Sequence, residues 1–230
     1  MSTADRARGE RSSAVALQGL AAHAETARAR LAEKHRAREA ALTHSRDATR
    51  HAANAIRAAH RDERERTTEL LEACARELTG ALEAAAEHPE IATAGFVTDA
   101  QKEYAEARLT AAALIGERLP GLDEVGVPAS AWLNGLAETI GELRRRALDR
   151  LAADALDEAV ACLEGMDEAY AVLVTMDFPE GVTDGLRRAT DVARGLVERT
   201  RGDVTNALVQ DRLRAALEQG GPPRGAADER

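Results

Sequence analysis

The sequence predicts an all-α protein, and three observations carry that prediction. Apolar residues, alanine foremost, make up 44% of the chain while aromatics are only 2%, the profile of thin helices that pack closely. Through most of the 230 residues apolar positions recur three and four apart, and no stretch alternates with the period of two that a half-buried strand requires. The six prolines fall between the periodic segments rather than inside them. A bundle of about six to seven helices with a long N-terminal helix is expected, in a single domain over 12–218 that can bury a substantial core.

Residues 1–11 are polar and small and are expected to be disordered, as is the tail 219–230 with its Gly-Gly-Pro-Pro run. Ser12 or Ser13 suits an N-cap, and the helical pattern after it continues to about Asp62 with no proline and one glycine. A second helix, about Glu63 to Glu87, carries Leu70, Leu71, Cys74, Leu78 and Leu82 on its apolar side and ends at His88-Pro89. A third starts at Gly95, with Phe96, Val97, Ala100, Tyr104, Ala107, Ala111, Leu114 and Ile115 on one face. The break from Leu119 to Pro128 is long enough to return a fourth helix alongside it, striped by Trp132, Leu133, Leu136, Ile140, Leu143 and Ala147. A fifth covers about Leu156 to Thr175, with Val160, Leu163, Tyr170, Leu173 and Val174 as core candidates, and Asp177-Phe178-Pro179 breaks it. The last runs from Thr183 or Asp184 to about Glu218, with an apolar stripe of Leu186, Ala189, Ala193, Leu196, Val197, Val204 and Leu208. Its charge ladder of Arg187, Asp191, Arg194, Glu198 and Arg201 fits i,i+4 pairing or a subunit contact.

A net charge of -9 does not announce a nucleic-acid partner, but the charge is unevenly spread. Between Leu20 and Arg61 nine Arg or Lys face four acids, and five of the six histidines lie there. Arg46, Arg50, Asn54, Arg57 and Arg61 fall on one side of the first helix, away from Leu31, Leu42 and Ile56. Such an arginine stripe is either a solvated face or a track for phosphates. With five aromatic residues in the chain, stacking platforms for bases are scarce, so any nucleic-acid binding is expected to be salt-sensitive and weakly sequence-selective. Cys74 and Cys162 sit far apart inside helical patterns, with no disulfide framework or cysteine-based zinc site. No apolar run serves as a signal peptide or membrane span, and a cytoplasmic setting is expected.

The candidate chemistry lies between Gly95 and Arg146. Glu103 and Glu106 are three apart and Glu138 and Glu142 four apart, so each pair shares one side of its helix. On the helical wheel Glu103 lies at the edge of the apolar face, Glu106 further out, and Glu138 and Glu142 opposite the stripe. Four carboxylates meeting between antiparallel helices would suit a hard cation such as Mg²⁺ or Mn²⁺, and the same pairs on separate helices are ordinary solvated surface. Glu-x-x-His, His-Glu-x-x-His, Gly-x-Ser-x-Gly and a phosphate loop ending in Gly-Lys are all absent, leaving carboxylates and a metal as the visible catalytic apparatus.

The chain resembles the translin family from about Lys34 to Thr205. The matching pieces are Ser45-Arg46, Ala55-Ile56-Arg57-Ala58 with His60-Arg61, Glu103-Tyr104 with Glu106-Ala107, Gly135-Leu136-Ala137 with Gly141-Glu142-Leu143-Arg144-Arg145, Met166-Asp167-Glu168, Asp177-Phe178-Pro179, and Leu186-Arg187-Arg188 with Asp191-Val192-Ala193-Arg194. The resemblance implies a helical bundle that assembles into a hollow homo-oligomer, usually an octamer, binding single-stranded RNA or DNA inside. It is similar in particular to the archaeal-type members and to the branch of translin-associated protein X, whose members are metal-dependent endoribonucleases, whereas translin proper mainly binds. The acidic residues of that branch correspond here to Glu103, Glu106, Glu138 and Glu142. Glu138 stands where those proteins usually have Asp, one methylene shorter. The resemblance thus implies phosphodiester hydrolysis with Mg²⁺ or Mn²⁺ at these glutamates and strand guidance by Arg46, Arg50, Arg57, Arg61 and Arg145. A site facing the interior of a shell is expected to be solvent-accessible rather than a buried carboxylate cage.

Overall fold

The computed structural model describes residues 19–219. The segment 1–11, the caps expected at Ser12 or Ser13, and the tail beyond Gln219 lie outside the described residues. Among those described there are six long helices, α1 (Leu20–His60), α2 (Arg64–Ala84), α4 (Gly95–Ile115), α6 (Ala129–Ala152), α7 (Leu156–Leu173) and α9 (Leu186–Gln219), and no strand. Three single-turn helices, α3 (Pro89–Ala92), α5 (Leu122–Val125) and α8 (Glu180–Thr183), fill the breaks between them. The long helices and the all-α class match expectation, and the single turns are too short to produce periodicity. The first described helix, α1, begins at Leu20 directly after Gly19, which adopts φ 89°, and the helical pattern expected over residues 12–18 lies outside the described residues. A glycine inside a helix costs about 1 kcal/mol relative to alanine and is tolerated freely at positive φ.

The central element is α6, packed on α4, α7 and α9, while α1 packs on α2 and α4. Thin side chains allow the first layer: Ala48, Ala52, Ala55 and Ala58 of α1 are fully buried against Leu70, Cys74 and Leu78 of α2 and Tyr104 of α4. The Cys74 thiol donates to the Ala48 carbonyl at 3.2 Å, and burial pushes it up to about 12, so it acts as a small core residue. The second core joins Leu109, Leu136, Ile140, Leu143, Met166, Leu173, Leu186 and Val197 across α4, α6, α7 and α9. Trp132 touches both cores, and its indole N–H donates to the Pro120 carbonyl at 3.2 Å.

Some expected core members are exposed. Leu31 lies on the part of α1 before residue 34, which is exposed throughout, and Leu82 and Val174 lie near the ends of their helices. At 41 residues, α1 is about 60 Å long and outruns its neighbours. The α1–α2 turn is pinned through Asp62, whose φ of 58° an Asp tolerates and whose carboxylate accepts from Arg146 of α6 at 3.0 Å. The ladder on α9 reaches across helices: Arg194 donates to the Tyr170 hydroxyl at 2.8 Å and Arg201 pairs with Asp167 at 2.5 Å.

Because Ala55 is buried between α1 and its neighbours, Ala55→Leu has no free volume to enter. Urea denaturation is expected to report a loss of about 1–3 kcal/mol with an unchanged slope.

Candidate functional site

The site begins with a close approach of two helices. A Cβ on Gly135 of α6 would lie 2.7 Å from the backbone nitrogen of Glu106 and 2.8 Å from the Ala105 Cβ of α4. Only glycine admits that separation. Thr139, one turn on, returns its hydroxyl to the Gly135 carbonyl at 2.9 Å and lies 3.4 Å from the Thr110 hydroxyl, so small polar groups continue the seam. With the backbones this close, Glu106 of α4 and Glu138 of α6 meet, and Glu103 joins them. One carboxylate oxygen from each of the three lies within 4.8 Å of the others.

This corrects the helical-wheel reading of α4. Glu106, placed further from the apolar face than Glu103, is the more buried of the two, at 8% exposure, because the glycine face of α6 lies flush against its backbone. The side chains of Glu103 and Glu138 remain 28% and 39% exposed. The site is therefore not wholly accessible: it is an open cleft with one carboxyl buried in its wall. That cleft, about 540 Å³, runs between α4, α6 and α9, and its lining includes Asn134, Gly141, Arg188 and Val192 beside Glu106 and Glu138.

Lys102 supplies the local countercharge. Its Nζ donates to Glu138 Oε1 at 2.7 Å and lies 3.5 Å from Glu103 Oε1. Burial lowers the pKa of this ammonium, but the hydrogen bond to Glu138 and the charges of Glu138, Glu103 and Asp99 outweigh that, and it ends above the usual lysine value. Burial, then the charges of Glu138 and Glu103, push the Glu106 carboxyl up to about 9, and a hydrogen bond with Glu138 favours its protonated form. Burial also raises Glu103. Three such oxygens form a hard donor set suited to Mg²⁺ or Mn²⁺, and the raised carboxyls are those a divalent charge would relieve, so the residues fit the expected ion.

Glu142 stands apart from that trio. Its Oε2 is 2.6 Å from Nε2 of His60, the last residue of α1, and 3.7 Å from Arg145. The His60 bond holds the Glu142 carboxyl below the usual range. The His60 side chain is 5% exposed, its Nδ1 has no partner among the described residues, and Arg146 donates to its carbonyl at 3.3 Å.

Arg46, Arg50, Arg57 and Arg61 are all exposed along α1. Arg50 pairs with Asp47 at 3.0 Å, Arg57 donates to Asn54 at 2.7 Å, and Arg61 grips Glu63 at 2.7 and 2.9 Å. None of the four lines the acidic cleft, and neither does Arg145, which pairs with Glu142 outside it. Sequence reasoning missed Lys102, His60 and Arg188 as site residues. Lys102 left a signal, being one of two lysines in an arginine-rich chain and adjoining Glu103. Arg188 stands in the matching piece Leu186-Arg187-Arg188, but only the tertiary packing of α9 brings it to the cleft.

No family model matches the chain. It is 31% identical over 191 residues to an uncharacterized protein, MJ0175, of Methanocaldococcus jannaschii, over 82% of this chain and 84% of that protein. Among solved structures it is similar to AfC3PO in a complex with duplex RNA, with a TM-score of 0.75 and 34% identity over 82% of this chain and 97% of that one. It is also similar to a crystal structure of AfC3PO, with a TM-score of 0.73 and 34% identity over 82% of this chain and 98% of that one. Apo-NeC3PO shares the fold, with a TM-score of 0.72 at 15% identity over 80% of this chain and 96% of that one.

Gly135→Ala tests the seam. The added methyl must push α4 from α6, and a loss of about 1–3 kcal/mol in denaturant unfolding is expected, whereas Gly202→Ala, in open space inside α9, is expected to gain about 0.5–1 kcal/mol.

Proposed function

The chain belongs to the translin family, and on that premise we propose that it binds RNA and cuts it with a divalent cation held among Glu103, Glu106 and Glu138. The observation that carries the reading is the convergence of those three carboxylates within 4.8 Å of one another, with Glu106 and Glu138 in the wall of an open cleft. It is supported by the 34% identity to AfC3PO, a protein captured with duplex RNA. Mg²⁺ or Mn²⁺ bound there supplies Lewis acidity, activating water and neutralising charge that builds on the phosphoryl group during phosphodiester hydrolysis.

The chain's own residues divide the remaining work. Glu103, Glu106 and Glu138 furnish the oxygen donors, and the extra methylene of Glu138 lets it reach the pair on α4 across the seam. Glu142, fixed by His60, adds negative charge beside the trio without joining it. Arg188 at the cleft, the exposed Arg46, Arg50, Arg57 and Arg61 on and just after α1, and Arg145 beside Glu142 attract and orient the phosphate backbone. Sequence selectivity is weak because five aromatics offer few stacking surfaces. The strand is single-stranded RNA or DNA on the family resemblance, while the AfC3PO complex contains duplex RNA, so both forms belong in the assay.

The assembly is a homo-oligomer, an octamer in the reading the family suggests, with the cleft facing inward. Val209, Leu213 and Leu217 support self-association, as they form an exposed apolar stripe at four-residue spacing on the projecting end of α9. The setting is proposed to be cytoplasmic; no described helix is long and apolar enough to cross a membrane. A second reading, an oligomer that binds without cutting, is favoured by one observation: Lys102 already satisfies Glu138.

End-labelled single-stranded and duplex RNA incubated with Mg²⁺, Mn²⁺ or EDTA separate the two. The metal-dependent nuclease predicts cleavage only in the metal arms, lowered about a hundredfold or more by Glu106→Gln or Glu138→Gln with RNA binding retained. Cleavage unchanged in both variants would remove the metal site from the mechanism, and no cleavage at all leaves the binding oligomer. For the assembly, Leu213→Glu is expected to shift the mass seen by light scattering toward the 24.5 kDa of one chain.

A further inference from the structure

Lys102 sits where a cation belongs. Its Nζ, 2.7 Å from Glu138 and 3.5 Å from Glu103, shares the oxygens that would coordinate a divalent ion. Resting on the metal reading above, we infer that Lys102 is a built-in cationic plug: its ammonium holds the carboxylates together in the absence of metal and must leave Glu138 for a divalent cation to bind.

The residue type supports this role. Of 31 Lys and Arg in the chain only two are Lys, Lys34 and Lys102, and one of them stands in the acidic cluster. A compact ammonium on a flexible stem can mimic and yield to a metal ion, whereas a planar guanidinium would lock two oxygens in a bidentate fork. The stem also has somewhere to go. The Lys102 side chain is 26% exposed, and both it and the exposed Asp99, three residues earlier on α4, line the cleft. Asp99 is one helical turn away and offers a second carboxylate without any backbone movement. From the opposite wall Arg188 of α9 brings positive charge, which makes the Asp99 side the favourable exit. An incoming cation therefore exchanges with a resident one, and the broken charge-assisted hydrogen bond weakens metal binding by about tenfold.

The test compares the parent protein with Lys102→Met, Lys102→Gln and Glu138→Gln, following free Mn²⁺ by electron paramagnetic resonance at fixed pH and ionic strength. The expected result is Mn²⁺ binding by the parent, about tenfold tighter binding by both Lys102 variants, and weaker binding by Glu138→Gln. Parent binding that either folded Lys102 variant merely equals or weakens overturns the plug and leaves the metal site standing. Absence of Mn²⁺ binding in the parent and all variants overturns both. A measurement on the unaltered chain guards against misfolded variants. Reductive methylation, read by mass spectrometry against Lys34, is expected to modify Lys102 several-fold faster with Mg²⁺ than with EDTA, and an equal ratio in the two conditions overturns the plug.

Discussion

The backbone-to-backbone contact between Gly135 and Glu106 sets the geometry from which the rest follows. Two helices normally keep side chains between them, and their axes stay 8–10 Å apart. Here the missing Cβ lets α6 lie against α4 so closely that acidic side chains from both meet at the surface of the seam. The cost is electrostatic. Three carboxyls in a half-dry cleft repel, and one answers by holding its proton well above the ordinary range. Lys102 answers the rest, so the packing constraint and the charge arrangement are one design: the seam gathers the acids and the lysine makes the gathering tolerable without metal.

His60 extends this arrangement to the far layer of the bundle. As the last residue of α1 it is bonded to Glu142 at the middle of α6, and the turn that follows is held by Arg146 on Asp62. The end of the basic helix and the acidic cleft are thereby parts of one framework, although the exposed arginines of α1 do not line the cleft. A strand lying along α1 and a strand entering the cleft would follow distinct tracks joined at the His60 corner.

Much of this was legible from the sequence. Periodicity and proline positions marked all six long helices, and the spacing of Glu103, Glu106, Glu138 and Glu142 singled out the stretch in which three of those carboxylates converge. What periodicity alone misjudged was depth. A wheel assigns faces relative to one helix's own apolar stripe, yet Glu106 is buried by Gly135 on another helix, and no single-helix pattern contains that. Glu142 looked equivalent to Glu138 by spacing, and only the arrival of His60 from α1 separates them. Lys102 was visible as a rare residue but not as a neighbour of Glu138, because that contact spans two helices. Single-turn helices at Pro89, Leu122 and Glu180 escaped because one turn has no period to detect.

Trp132 is the only tryptophan of the chain, and it packs against both cores while its indole ties down the Pro120 loop. Its large side chain makes the alanine-lined layer of α1 and α2 and the leucine-rich layer of α7 and α9 share a single wall. Neither layer can loosen without exposing the same ring, so thermal melting is expected to be coupled across the described residues as one cooperative transition. The fluorescence of this one indole therefore reports on both halves at once, and a broadened or biphasic melt at this wavelength would mean that a substitution had uncoupled them.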